Sequence, residues 1–145
     1  MIRLRGHHLL CMLTYVGKGY SPAFVENYDA IAGRLSAGEK ILVVDGPDDV
    51  CAPLLRDADC HCHEASVQER DRRALAALSA LLEIPLETGA TLRLDAARLR
   101  RMRAAFAAGR IRSACAAVGH RPACEWSSLC SRIADGGYDG VRITR

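Results

Sequence analysis

A fold for this chain of 145 residues has to account first for its seven cysteines. All but Cys11 fall in two segments, Cys51-x8-Cys60-x-Cys62 and Cys115-x8-Cys124-x5-Cys130. In a reducing compartment such a set is not a disulfide framework, and an odd number cannot all pair within one chain. Thiolates are soft, charged donors that suit Zn²⁺ and the iron of iron–sulphur clusters. The two segments are therefore expected to be loops gathered at one metal site. Neither contains a C-x2-C pair, so the signal lies in the number of thiols and in their setting. They stand in turn-rich sequence beside Pro53, Pro122 and Trp126 rather than on the apolar stripe of a helix.

The length fits a single domain, residues 1–145, that can bury enough surface to fold without a metal. Half of the residues are hydrophobic but only 5% are aromatic, so the core is expected to be Leu, Ala, Ile and Val packed on helices. A net charge of +3 does not announce a nucleic-acid protein. The arginines between Arg93 and Arg112 lack interleaved aromatics for base stacking and read as an exposed helix face. Nucleic acid is not an expected partner. The N-terminal arginines and apolar run are interrupted by His7-His8 and show no small-residue cleavage site. No apolar stretch approaches the roughly 20 residues needed to cross a bilayer, so the expectation is a cytoplasmic protein with no membrane partner.

Punctuation along the chain predicts an α+β fold, mostly helical, with four or five helices and a minor two-stranded sheet. His7 to Tyr15 forms a short helix in this reading, ended by Gly17-Lys18-Gly19, with His7 and Cys11 on one face. Ser21-Pro22 caps and starts a second helix that runs to about Ala37. Ile41 to Val44 is a buried strand stopped by the turn Asp45-Gly46-Pro47-Asp48. Ser66-x-x-Glu69 is a capping box for a helix that ends near Ile84-Pro85, and Asp95 caps another that ends at Gly109. Shorter helical pieces cover Ile111 to Ala117 and Ser127 to Ala134. Gly140 to Ile143 is expected as a second strand beside Ile41 to Val44.

The first ligand set is Cys51, Cys62, Cys124 and Cys130, with Cys11, Cys60 and Cys115 in reserve. A lone cysteine is commonly core filler, the reading that suits Cys11 and Cys115 before any other consideration. In Cys60-His61-Cys62-His63 the neighbours are too close for all to bind one metal, so one cysteine is the expected ligand and the histidines are solvated or supporting. Arg3, Arg5, His7 and His8 form a further constellation. Histidines held by carbonyls are the ordinary outcome there; a contact with a cluster or an anionic ligand is the functional one. With Trp126, these four could pack around or hydrogen-bond the metal centre. Asp45, Asp48 and Asp49 read as turn and cap residues.

Three stretches resemble the family known as domain of unknown function 1284: Arg3-Leu-Arg-Gly-His-His-Leu-Leu-Cys11, Gly17-Lys-Gly-Tyr-Ser-Pro-x-Phe-Val-Glu-Asn27 and Asp45-Gly-Pro-Asp-Asp-Val-Cys51. Members are uncharacterised and suspected of binding iron–sulphur, so the resemblance implies a cofactor rather than a reaction. Cys124-Glu-Trp126 and Cys130 match the end of the family's C-x2-C-x-W pattern. Cys115 matches its first cysteine only with an insertion within Ala116 to Ala123. Where some relatives carry a cysteine just after the position of Cys51, this chain has Ala52-Pro53-Leu54. Cys11 lies in the strongest part of the resemblance, which favours it over core filler.

The expectation is an iron–sulphur protein of [4Fe–4S] type with a redox, sensing or structural role and an unidentified redox or protein partner. The alternatives are a structural zinc domain that serves as an interaction module and a metal-dependent enzyme using His7 and His8.

Overall fold

The structure, a computed structural model, describes residues 1–54, 65–116 and 123–144, without the side chains of residues 54, 65 and 66. Among the described residues there are three short strands, five α-helices and three 3₁₀ turns, so the fold is α+β and mostly helical. In chain order the strands and α-helices are β1 (Ile2–Arg5), α1 (His8–Cys11), α2 (Pro22–Ser36), β2 (Ile41–Val44), α3 (Ala65–Leu82), β3 (Thr91–Leu92), α4 (Ala96–Ala107) and α5 (Ser127–Asp135).

The sheet has the order β1-β2-β3. β1 runs parallel to β2 in the register Ile2 to Ile41 and Arg5 to Val44, joined through α2, and β3 pairs antiparallel to β2. Three strands replace the expected two, and the expected strand at Gly140 to Ile143 does not form. That segment instead binds the chain after α1 and the end of α2, with the Arg142 N–H donating to Tyr15 O at 2.9 Å and the Thr144 N–H to Ser36 Oγ at 2.9 Å. The position beside β2 is taken by β1, whose Ile2 and Leu4 are fully buried.

Local chemistry sets the helix ends. Ser21 Oγ accepts the Phe24 N–H at 3.1 Å with Pro22 in the first turn, and Asp95 Oδ1 accepts the Arg98 N–H at 2.7 Å. Gly38 and Gly109 follow α2 and α4 at φ of +87° and +76°, a conformation that costs other residues energy. The predicted capping box is not the start of α3: the helix begins at Ala65, so Ser66 is already inside it. The expected helix over His7 to Tyr15 is shorter, with α1 passing into a 3₁₀ turn over Met12–Thr14, and Ile111 to Ala117 contains a 3₁₀ turn at Ser113–Cys115.

One hydrophobic core joins these elements. Ile2, Leu4, Ile41 and Val43 from the sheet meet Leu9 and Leu13, α2 residues Ile31 and Leu35, α3 residue Leu78, and α4 residues Leu99 and Phe106. Among the described residues, no helix is long and apolar enough to cross a membrane.

Candidate metal centre

The site begins where β1 turns into α1. A Cβ on Gly6 would meet Asp71 O at 2.4 Å and Asp71 Cα at 2.9 Å, so glycine alone lets this junction lie against α3. That approach delivers Asp71 to two neighbours. Its Oδ2 accepts Arg5 Nε at 2.9 Å and its Oδ1 accepts the His7 N–H at 3.1 Å and His7 Nδ1–H at 2.6 Å. A second buried carboxylate, Asp48, accepts the Arg5 N–H at 2.7 Å and His8 Nδ1–H at 2.7 Å on Oδ2, and the Cys51 N–H at 3.1 Å on Oδ1.

Burial, and then the neighbouring His8, push His7 down to about 4, so its ring is neutral near pH 7. Burial raises the carboxyl of Asp48, but His8, the Arg5 N–H and Cys51 together outweigh it and hold Asp48 down at about 2. Asp71 is held below its ordinary value in the same way, burial being overcome by His7 and Arg5. Each imidazole is oriented by an Nδ1–H hydrogen bond to a carboxylate. Nε2 is left as the atom available to a ligand.

Both rings open on a cavity of about 190 Å³. Four of the five described cysteines, Cys11, Cys115, Cys124 and Cys130, also line it. They come from α1, the 3₁₀ turn before residue 116, the loop before α5, and α5 itself. The Cys124 N–H donates to Cys115 O at 3.0 Å, which closes the two loop cysteines onto each other. Six of the chain's seven Tyr, Phe and Trp residues line the same space: Tyr15, Tyr20, Phe24, Tyr28, Phe106 and Trp126. A chain that is 5% aromatic has thus concentrated its rings around its thiols. Tyr15 stacks on Tyr28 with centroids 3.9 Å apart, while at the mouth Trp126 Nε1–H donates to Tyr20 OH at 2.9 Å.

The thiols feel one another. Burial pushes Cys11 well above the ordinary thiol value, and the charges of Cys124, Cys115 and Cys130 push it further. Burial also raises Cys115 and Cys130, opposed by the Arg112 guanidinium and, at Cys130, by Thr14, whose Oγ1–H donates to Cys130 Sγ at 3.0 Å. Four thiols in a small apolar space repel as thiolates, which is the arrangement a bound cation relieves. Arg112 also fixes the wall: it donates to Ser131 Oγ at 2.6 Å and Ser127 O at 3.0 Å, and its guanidinium lies 4.6 Å from the Phe106 ring centroid. Tyr28 lines the cavity, and its buried OH has no hydrogen-bond partner among the described residues. A buried phenol without a partner is costly and is satisfied if an acceptor such as a cluster sulphur occupies the space.

Of the expected ligands, Cys124 and Cys130 stand on this cavity together with Cys11 and Cys115 from the reserve. Cys51 is buried in a different setting, behind His8 with Asp48, and does not line the cavity. Cys60 and Cys62 lie outside the described residues. His7, His8 and Trp126 reach the cavity; Arg5 is buried against Asp71, and Arg3 is exposed. Tyr28, Thr14, Asp71 and Arg112 were not singled out from sequence. Tyr28 is hidden within the apolar stripe of α2, and no local pattern links Asp71 to a histidine 64 positions away.

Among the described residues, the one trio of His, Cys and carboxylate side chains with ligand atoms within 4.8 Å of one another is His8, Asp48 and Cys51. Its closeness is explained by the hydrogen bonds that already occupy Asp48. No three of the four cavity thiols have sulphurs all within 4.8 Å of one another, whereas Zn–S bonds of about 2.3 Å hold the sulphurs of a tetrahedral zinc about 3.8 Å apart. A cluster separates its thiolates further, each binding a different iron.

A family model described as protein of unknown function (DUF1284) matches residues 19–130. The match takes in Cys51, Cys115, Cys124 and Cys130, while His7, His8 and Cys11 precede it. No curated protein and no solved structure matches the chain.

Proposed function

We propose that this chain, which belongs to the DUF1284 family, binds an iron–sulphur cluster of [4Fe–4S] type through Cys11, Cys115, Cys124 and Cys130. The observation that carries the proposal is the meeting of these four thiols, from both ends of the chain, on one cavity walled by aromatic rings. The donor set suits such a group, and so does the buried phenol of Tyr28, which lacks an acceptor among the described residues. When bound, the cluster supplies one-electron exchange. The protein's part is to keep water from it with Phe24, Phe106 and Trp126, and to offset the charge of its thiolates with Arg112. Thr14 and Tyr28 are the hydrogen-bond donors that would tune it. The role is redox, sensing or structural, with a redox or other protein as partner.

Single Cys→Ser variants purified without oxygen test the ligand set. Cys11→Ser, Cys115→Ser, Cys124→Ser and Cys130→Ser are each expected to lose most bound iron and the visible charge-transfer absorption, and Cys51→Ser to retain both. A colourless protein with stoichiometric zinc would replace this reading with a structural zinc domain. Iron lost on Cys51→Ser but kept in Cys11→Ser and Cys115→Ser would overturn the proposed ligands.

A further inference from the structure

The cavity has a second set of donors that the thiols do not use. His7 and His8 face each other with ring centroids 4.3 Å apart and planes tilted by 58°. Their Nδ1 atoms are occupied by Asp71 and Asp48 at 2.6 and 2.7 Å, and those carboxylates are nearly or wholly buried, with side chains 9% and 0% exposed. Each ring is only partly covered, 20% and 14% exposed, and lines the cavity. Neither Nε2 has a hydrogen-bond partner among the described residues. This is the arrangement in which imidazole serves as a metal ligand: a carboxylate fixes the tautomer and the ring, and the opposite nitrogen presents its lone pair.

We infer that His7 and His8 together bind one divalent first-row metal ion, zinc in type, through their Nε2 atoms at the wall of the cavity. An ion with Zn–N bonds of about 2.0–2.1 Å needs its two nitrogens about 3.4 Å apart, a separation of the same order as the 4.3 Å between the ring centroids. The ion's other positions open on the cavity, where water or a small anion completes the shell. Two protein ligands make the site weaker than a closed structural zinc site, and they leave it open in the manner of sites that act on a ligand. His8, Asp48 and Cys51 are the closer trio, but Asp48 is already engaged by three N–H groups, so the pair is the better site. The inference is independent of what the thiols hold.

The test uses the full chain as isolated without oxygen, incubated with excess zinc and freed of unbound metal. Zinc, iron and sulphide are then counted, and zinc-edge X-ray absorption identifies the donors. The expected result is one added zinc per chain with imidazole nitrogen in its shell and iron unchanged. That zinc is expected to be lost in His7→Ala and His8→Ala, and kept in Cys124→Ser even if the iron is lost. Asp71→Asn is expected to weaken retention by about 10- to 100-fold. No retained zinc, zinc with a purely sulphur shell, or imidazole-bound zinc that survives the double His7→Ala/His8→Ala change would each overturn the assignment. The absorption measurement on the unaltered chain decides the matter if a variant fails to fold.

Discussion

Several single side chains here are held in states that water would not give them, and acid should reveal it. His7 is pushed down to about 4, from an ordinary 6.5, by burial and by His8. The unfolded chain therefore takes up that proton first. The contribution of neutral His7 is full above about pH 6.5 and is lost as pH falls towards 4, amounting to about 3 kcal/mol. Asp48 lies at about 2 against an ordinary 3.8, so its contribution is present above about pH 4 and lost towards pH 2, about 2 kcal/mol. Urea unfolding of metal-free protein across this range should show two successive declines, with the upper one absent in His7→Gln. A flat profile between pH 6.5 and 4 would refute the buried neutral ring. Gly6→Ala should cost more than about 2 kcal/mol, because the new methyl group would meet the α3 backbone at Asp71 and loosen its hold on Arg5 and His7. A chemical denaturation midpoint within error of the unaltered chain would contradict that contact. Tyr28→Phe separates two states of one residue: in the cluster-free chain it should be neutral or stabilising, since it removes a buried hydroxyl without a partner. In the cluster-loaded chain it should lower the reduction potential by removing a donor to sulphur, with iron content unchanged.

At the scale of elements, legibility followed how local the cause was. Ser21-Pro22 and Asp95 mark α2 and α4 because their caps bind N–H groups three residues on, a pattern contained in a few letters. Ser21→Ala should therefore cost about 1 kcal/mol in thermal or urea unfolding, with no change in the cavity. Ile41–Val44 was equally plain, as a short β-branched run before a Gly-Pro turn. Its partners were not. Ile2–Arg5 has the alternating letters of a strand, but Arg5 is buried where alternation would expose it, and what permits that is Asp71, 66 positions away. Val141 to Ile143 has the letters of a strand, but its backbone groups are taken by Tyr15 and Ser36 is used by Thr144, so no ladder forms. The arginines of α4 include the exposed Arg100 and Arg101, and two of the helix's arginines also hold neighbouring chain: Arg103 donates to Ile143 O at 2.7 Å and Arg101 to Leu81 O at 2.5 Å.

Across the whole molecule, the candidate centre is a product of topology. Cys11 reaches the cavity because β1 pairs with β2 and turns at Gly6 against α3, whereas Cys115, Cys124 and Cys130 reach it because Arg112 clamps α5 to Phe106 of α4. Spacing within either cysteine segment does not encode that convergence. The sequence does contain the thiols, the unusual His7-His8 pair and the resemblance at Arg3 to Cys11. The proposed ligand set has Cys11 and Cys115 in place of Cys51, which does not line the cavity, and Cys62, which lies outside the described residues. If these four thiols hold a cluster, the protein without it loses the bonds that tie α1, the 3₁₀ turn at Ser113–Cys115 and α5 to one centre. Removing the cluster should then lower the unfolding temperature by several degrees. The most direct measurement is the iron and acid-labile sulphide content of the unaltered chain, purified or reconstituted without oxygen, taken with its low-temperature EPR spectrum before and after reduction. The account predicts about four irons and about four sulphides per chain, with a one-electron signal that appears on reduction. A chain that binds neither iron nor sulphide under those conditions would contradict it.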